Sequence, residues 1–186
     1  MGSLRPFGQP SASVTFRRVD LARDREAVFG ISLEYMRWVI GLIDADRRFA
    51  ASVPPLTLSV EEYTAGSMDA VCGYAPPEGA FYLVECDGEL AGMCGLRRLQ
   101  ARVAEFKRIY IRPSHRGRGL GEAIVQRLIA DAQSFGCEKA VLDTAPFMDS
   151  AQRLYRSAGF IDCAPYAGTE VPAEWHAHWH FMEKAL

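Results

Sequence analysis

One segment, residues 103–122, constrains the fold most, because a strand pattern, a glycine-rich turn and a helix pattern follow one another there. Apolar side chains at Phe106, Ile109 and Ile111 indicate the strand, and Pro113 ends it. Three glycines at alternate positions leave the turn without β-carbons, so its backbone N–H groups can approach a ligand closely. The helix start adds free N–H groups and the positive end of the helix dipole, and the segment therefore predicts an anion-binding site.

The charges in this turn indicate the kind of anion. Arg116 and Arg118 are permanent cations whose planar guanidinium groups suit phosphate. A helical spacing of apolar residues begins at Glu122. A nucleotide-binding P-loop is disfavoured, because no Gly-Lys-Ser/Thr follows the turn. A phosphorylated cofactor is therefore expected at the turn and helix start, namely at Arg116, Gly117, Arg118, Gly119, Leu120, Gly121 and Glu122.

The neighbouring patterns predict a mixed α/β sheet. Residues 80–86 and 90–99 read as two strands around an Asp-Gly pair, which is a strong hairpin signal. Together with the strand at 103–111 they form an antiparallel meander. The helix at 119–134, which ends at a glycine, and the strand at 139–144 then predict a right-handed parallel crossover.

The N-terminal part should begin with a loose tail at residues 1–13, so that a single domain occupies residues 14–186. Residues 14–19 predict the first strand, and either Asp20 or Asp24 caps the helix after it. A break is expected at 52–55. Ser59 and Glu62 then have the spacing of a capping box for a second helix.

The segment Gly66–Gly79 holds several Gly and Pro residues and is predicted to be a loop. A helix at 150–157 and strands at 160–163 and 177–186 complete the predicted series of helices and strands. The last strand would place His176, His178 and His180 on one face. No carboxylate or cysteine has ligand spacing with these histidines, so no metal site is predicted.

Charge and cysteine content limit the function classes. A net charge of −2 gives no overall attraction for nucleic acid, and no apolar run approaches the roughly 18 residues that span a membrane. The five cysteines are an odd number without a CxxC pair, which favours reduced thiols in the cytoplasm. We therefore expect a cytoplasmic protein without nucleic-acid or membrane partners.

Two motifs resemble the GNAT superfamily of acyl-CoA-dependent N-acyltransferases. Residues 116–121, Arg-Gly-Arg-Gly-Leu-Gly, are similar to its (Arg/Gln)-x-x-Gly-x-(Gly/Ala) motif, and residues 151–160 are similar to its Ala-x-x-Leu-Tyr-x-x-x-Gly-Phe motif. The strand ending Leu142-Asp143-Thr144 resembles a small subgroup, and the resemblance runs from about residue 72 to 163. It implies a GNAT-like central mixed sheet of about six to seven strands, about four flanking helices, and acetyl-CoA as cosubstrate.

The resemblance also implies which residues act on the cofactor. The pantetheine arm would pair with the backbone of Ile109, Tyr110 and Ile111, and the Ile109 N–H would polarise the thioester carbonyl. Tyr155 matches the tyrosine that protonates the departing thiolate. Met148 stands where many relatives carry a cofactor-binding Asn.

Glu105 matches the general base of histone-type members, with a salt bridge to Lys107 or an arginine as the alternative. We expect Tyr35, Trp38 and Tyr166 to line an acceptor pocket between the first helices and the 164–176 loop. The expected reaction is direct transfer of an acetyl group to a small-molecule primary amine by a monomer or homodimer. A protein or peptide amine as acceptor, and a non-catalytic acyl-CoA sensor, are the alternatives.

Overall fold

The computed structural model of the protein describes residues 13–46 and 58–186. The predicted tail therefore lies outside the described residues, except for Ser13, and so does the predicted break at 52–55. Within the described residues, seven strands form one sheet in the order β1-β2-β3-β4-β5-β7-β6. Their bounds are β1 Val14–Arg18, β2 Gly79–Cys86, β3 Glu89–Gln100, β4 Val103–Ile111, β5 Lys139–Thr144, β6 Ile161–Cys163 and β7 His180–Ala185.

The sheet is mixed, as the sequence predicts. Strands β1 to β4 are antiparallel neighbours, β4 and β5 are parallel, and β7 pairs antiparallel with both β5 and β6. Only the β4–β5 pair needs a crossover, which the helix after the glycine-rich turn supplies. The described part of the chain holds four α-helices, α1 Leu21–Ala45, α2 Val60–Cys72, α3 Leu120–Ser134 and α4 Asp149–Ser157.

Helices cover both faces of the sheet because strand residues alternate between the faces. On one face Tyr82 and Val84 pack against α3, through residues such as Ile124 and Leu128. On the other face Phe81, Leu83 and Met93 pack with side chains of α1 and α2. The predicted fold class is therefore confirmed.

Local signals set the starts of the first two helices. The Asp20 side chain caps α1 by accepting the Ala22 N–H at 3.0 Å. Asp24 is instead buried and forms ion pairs with arginine side chains. At α2, the Ser59 hydroxyl accepts the Glu62 N–H at 3.2 Å and the Glu62 carboxylate accepts the Ser59 N–H at 2.9 Å, so the capping box is confirmed.

The predicted loop at Gly66–Gly79 is wrong in its first half, because α2 continues to Cys72. Thr64, Met68 and Cys72 are spaced four residues apart and are buried, and the last two pack with Val28 of α1. This burial outweighs the roughly 1 kcal/mol that a glycine costs inside a helix.

The predicted strand from residue 177 is also wrong in its first part. A short 3-10 turn occupies Ala173–Trp175, and β7 begins only at His180. The His176 ring nitrogen Nε2 lies 2.9 Å from the Val171 carbonyl oxygen, within this turn. The three histidines therefore do not share a strand face.

The β4–β5 pair opens towards its C-terminal end. The two strands pair only from Val103 to Glu105, whereas β4 continues to Ile111. A β-bulge interrupts the β3–β4 ladder near Arg108, whose φ is 54°. Bulges bend the strand that carries them. The separation of the strands leaves space between the sheet and α4, where the candidate site lies.

Candidate active site

A groove of about 630 Å³ runs between the end of β4, the glycine-rich turn, the start of α3 and α4. Gly117 and Gly119 have φ of 75° and 78°, a left-handed conformation that glycine adopts without steric cost. Gly119 is the N-cap of α3. The first N–H groups of α3, which have no acceptor within the helix, therefore lie at the wall of the groove.

Most residues predicted to bind a cofactor line this groove. Those lining it are Ile109, Tyr110, Ile111, Arg116, Gly117, Gly119, Leu120 and Gly121. Arg118 instead lies 3.9 Å from Asp87, and Glu122 lies in the first turn of α3 outside the lining. The Arg116 guanidinium is 5.0 Å from the Trp38 ring centroid, and its Nε donates to the Ile111 carbonyl at 3.1 Å.

A second cavity of about 250 Å³ adjoins the groove. The groove and the cavity share Trp38, Ile109, Met148, Ala151 and Tyr155. We call this second space the acceptor cavity, because two of the residues expected to line an acceptor pocket, Tyr35 and Trp38, line it. Its aromatic walls come from α1, α2, β4, α4 and the segment before β7, namely Tyr35, Trp38, Tyr63, Phe106, Tyr155, Trp175 and Trp179.

Tyr155 lies where the groove meets the acceptor cavity. Its side chain is 6% exposed, and burial, with the nearby Tyr35 and Asp143, raises the pKa of its phenol. The phenol is therefore neutral and protonated at physiological pH. Its hydroxyl makes no hydrogen bond to any described residue and can donate to a bound molecule.

A buried carboxyl, Asp143, stands at the end of β5 and lines the acceptor cavity. Its Oδ1 accepts the indole N–H of Trp179 at 2.7 Å, and its Oδ2 lies 3.2 Å from the Tyr166 hydroxyl. Burial raises the pKa of Asp143, although the bonds from Trp179 and Tyr166 and the charge of Lys107 oppose the shift.

The Tyr166 hydroxyl also lies 3.0 Å from Oε1 of Glu105. A phenol has one hydrogen and cannot donate fully to two carboxylates. Glu105 is fully buried, with its Oε2 2.5 Å from Arg97 Nε and 3.5 Å from Lys107 Nζ. Two cations therefore lie beside Glu105, whereas none of the described residues forms an ion pair with Asp143.

The described structure thus places several predicted site residues at the acceptor cavity and one of them, Glu105, outside its lining. Tyr35, Trp38 and Tyr155 meet at the acceptor cavity, and Tyr166 contacts its carboxyl. Glu105 lines neither space and connects to the cavity through Tyr166. The salt bridges that we considered as its alternative role are present.

With this geometry in place, comparison with known proteins identifies the family. A model of the acetyltransferase (GNAT) family matches residues 46–160, which is more than half of the chain. The chain belongs to the GNAT family. The Escherichia coli K12 protein "Uncharacterized N-acetyltransferase YjgM" is 30% identical over 107 residues, 53% of this chain and 64% of that protein. This chain therefore spans less than two thirds of that relative.

Solved structures share the GNAT fold. The PaiA N-acetyltransferase of Thermoplasma acidophilum, in complex with coenzyme A, has a TM-score of 0.65 at 15% identity, over 94% of this chain and 99% of that one. The spermidine N-acetyltransferase of Vibrio cholerae, in complex with CoA and spermine, has a TM-score of 0.57 at 18% identity, over 92% of this chain and 95% of that one. At these identities the likeness shows the fold alone.

Several residues of this GNAT site had no role in the sequence analysis, namely Arg108, Asp143, Thr144 and Trp179. Asp143 carried a usable signal, because it is the one charged residue in the apolar part of β5. Thr144 is buried in the cavity wall, and its hydroxyl has no hydrogen-bond partner within the described residues. Nothing local distinguished Arg108 or Trp179.

The described ranges of this GNAT protein hold no second kind of site that the sequence had raised. There, no group of three or more His, Cys, Asp or Glu residues could hold a metal ion. His180 lies on β7, 3.7 Å from Asp162, apart from the turn that carries His176. None of the described helices is both long and apolar enough to cross a bilayer.

Proposed function

We propose that the protein transfers an acetyl group from acetyl-CoA to the primary amine of a small molecule. The observation that carries this proposal is the meeting of two spaces at Tyr155. The groove offers backbone N–H groups and cations for a phosphorylated cosubstrate, and the adjoining cavity offers a buried carboxyl for an amine. The coenzyme A complexes of the two related folds support the choice of donor.

The residues of the groove fit the parts of acetyl-CoA. The N–H groups around Gly117 and Gly119, with the dipole of α3, suit a diphosphate. Arg116 lies beside them and suits the same charge. The backbone of β4 from Ile109 to Ile111 lies in the floor and, beyond its pairing with β5, can bond an extended amide arm. The Ile109 N–H is the candidate for polarising the thioester carbonyl.

In the reaction the amine nitrogen attacks the thioester carbonyl, and the C–S bond breaks as the amide C–N bond forms. Tyr155 would give its phenolic proton to the departing thiolate, since burial keeps that proton on the phenol. The proton released by the amine must leave on another path. The phenolate then regains a proton from solvent and the amine gives one proton to a base, so coenzyme A and the N-acetyl product are formed with every proton accounted for.

For the amine proton we propose Asp143 as the group that faces the acceptor and Glu105 as the group behind it. The Asp143 carboxyl lines the cavity, and Tyr166 links it to Glu105. The raised pKa of Asp143 suits it to accept a proton from an ammonium group better than an ordinary carboxylate. Glu105 would act by accepting the hydrogen bond of the Tyr166 hydroxyl. The Asp143 carboxylate would then stay free to accept the amine proton.

A small acceptor is favoured over a protein amine by the cavity itself. Its volume is about 250 Å³, and it is lined by aromatic side chains from α1, α2, β4, α4 and the segment before β7. Spermine bound to the Vibrio cholerae structure shows that a related fold accepts a small amine. Cytoplasmic location, a single domain over residues 14–186, and a monomer or homodimer stay predictions from the sequence.

The test is incubation of the protein with acetyl-CoA and a panel of small amines, with coenzyme A release measured against a blank without amine. We expect turnover with at least one amine and a loss of roughly 100-fold in kcat in Tyr155→Phe. Tyr82→Phe is the matched control, because Tyr82 bonds Asp131 outside both spaces.

Three outcomes would refute parts of the proposal. If acetyl-CoA raises the melting temperature but no amine is acetylated, the protein is a sensor and not an enzyme. If acetyl-CoA leaves the melting temperature unchanged even at millimolar concentration, the groove does not bind this cosubstrate. If Tyr155→Phe and Tyr82→Phe are equally active, Tyr155 is not the proton donor.

A further inference from the structure

Arg108 is a partly buried cation for which the described residues supply no ion-pair partner. Its Nη1 lies 2.9 Å from the Met36 sulfur, and its guanidinium lies 5.5 Å from the Tyr35 ring centroid. Neither of these contacts neutralises a charge. The adjacent cation Lys107 differs, because its Nζ lies 2.6 Å from Glu170 and 3.5 Å from Glu105.

No acidic side chain among the described residues forms an ion pair with Arg108, although its charge helps to lower the pKa of Glu170 from a longer distance. Residues 1–12 and 47–57, outside the described ranges, contain neither Asp nor Glu. Within the described ranges no carboxylate lies within ion-pair distance of Arg108. A cation withdrawn from water is costly unless an anion pairs with it. The counter-ion of Arg108 is therefore expected to come from another molecule.

The position of Arg108 indicates where that molecule binds. The residue lines the acceptor cavity, and its φ of 54° belongs to the bulge in β4. A side chain other than glycine, asparagine or aspartate seldom adopts such a φ, so the fold holds this arginine against a conformational cost. The bulge thus places a guanidinium in the wall of the cavity that should receive the amine.

The remaining charges of the cavity wall are already engaged. Glu170 is paired with Lys107 at 2.6 Å and with Arg97 at 2.9 Å. Asp143 is held by Trp179 and Tyr166. The cavity therefore offers one cation that lacks a partner and one carboxyl placed for an amine, between aromatic walls.

We infer that the acetyl acceptor is a small amino acid with an apolar or aromatic side chain, whose carboxylate binds Arg108 while its amino group faces Asp143. This inference rests on the proposed function, and it names the substrate class for the same site. A guanidinium binds a carboxylate through two parallel N–H···O bonds, which fixes the orientation of the acceptor as well as its charge. The aromatic walls would contact the acceptor's side chain.

The test compares acceptors that share an amino group and a side chain but carry a carboxylate, a carboxamide or neither group. Phenylalanine, phenylalaninamide and phenylethylamine form one series, and leucine, leucinamide and isoamylamine form another. With the wild-type protein we expect kcat/KM for the free amino acid to exceed that for its amide and its amine by roughly 10- to 100-fold.

The variant Arg108→Gln should raise KM for the amino acid by about the same factor and leave kcat within a few-fold. Its kcat/KM for the amide and the amine should change little, so the preference disappears. Arg25→Gln is the control, because Arg25 pairs with Asp69 on the exposed surface and is expected to retain the preference.

The outcomes separate this inference from the proposed function. If amines without a carboxylate, including spermidine, are acetylated as well as the amino acids, the acetyltransferase stands and the inference fails. If Arg108→Gln lowers kcat/KM equally for all three members of a series, the guanidinium does not bind the carboxylate. Should Arg108→Gln not fold, the wild-type acceptor series decides alone. Absence of turnover with every acceptor would refute the proposed function itself.

Discussion

The substitution Asp143→Asn tests the proposed path of the amine proton most directly. Asparagine has nearly the same shape as aspartate, and its carbonyl oxygen can still accept the Trp179 N–H that now lies 2.7 Å from Oδ1. Its amide nitrogen can donate to the Tyr166 oxygen, now 3.2 Å from Oδ2. The hydrogen bonds are therefore kept, and only the ability to take up a proton is lost.

Removal of a positioned general base costs about 10²- to 10⁴-fold in rate, or about 3 to 5 kcal/mol in the activation free energy. We expect a fall of this size in kcat with little change in KM for acetyl-CoA. The stability of the folded protein, in contrast to its activity, should not decrease. Because burial raises the pKa of Asp143 in the folded protein, the ionised form destabilises the fold at neutral pH. The neutral asparagine should therefore melt at or above the wild-type temperature.

The pH dependence gives a second measurement. A base acts only when unprotonated, so wild-type kcat should fall as the pH drops through the pKa of Asp143, which burial places above its usual 3.8. Near that carboxyl lie Lys107, Glu105 and the tyrosines Tyr155 and Tyr166. In Asp143→Asn this acidic limb should be absent from the residual activity.

The control is Asp162→Asn, an exposed carboxylate near Arg156. Its kcat and its pH profile should match those of the wild type. Wild-type activity in Asp143→Asn, or an unchanged acidic limb, would refute the role of Asp143. A lowered melting temperature together with lost activity would indicate a structural defect and count against the interpretation.

Three further outcomes are expected from the structure. Gly119→Ala should weaken acetyl-CoA binding in calorimetry and lower the free energy of unfolding by about 1 to 2 kcal/mol, because alanine is disfavoured at a φ of 78°. Ser59→Ala should lower the free energy of unfolding in urea by about 1 kcal/mol through loss of the α2 cap, and Ser67→Ala serves as the comparison. In labelling by a thiol reagent followed by peptide mapping, Cys163 should react first, since the other four cysteines are buried. Burial also raises the pKa of Cys72 to about 11, so earlier labelling of Cys72 would contradict this prediction.

Features encoded by neighbouring residues were predictable from the sequence. The glycine-rich turn, the Asp-Gly hairpin and the capping box of Ser59 and Glu62 each depend on a few consecutive residues. The crossover after β4 followed as well, because a strand, a helix and a strand in that order have one common arrangement. These signals were sufficient for the fold class and for the groove.

Features that depend on burial were not predictable in the same way. Gly66 and the Gly-Pro content beyond it suggested a loop, but Met68 and Cys72 pack with Val28 and extend the helix. The alternation of His176 and His178 suggested a strand, yet the 3-10 turn Ala173–Trp175 lies directly before them and β7 begins only at His180. In the helix, contacts with a distant part of the chain outweighed the local preference.

The sequence by itself determined the glycine-rich turn and the helix start, where we propose that the donor binds, because both are built from consecutive residues. Only the tertiary structure decided the cavity that we propose for the acceptor. Tyr166 lies 61 positions from Glu105 and 23 from Asp143 along the chain, and their side chains meet because β5 lies beside β4. The bulge that places Arg108 in the cavity is likewise a property of two paired strands. Hydrogen bonds and charges between such distant residues have no pattern in sequence order.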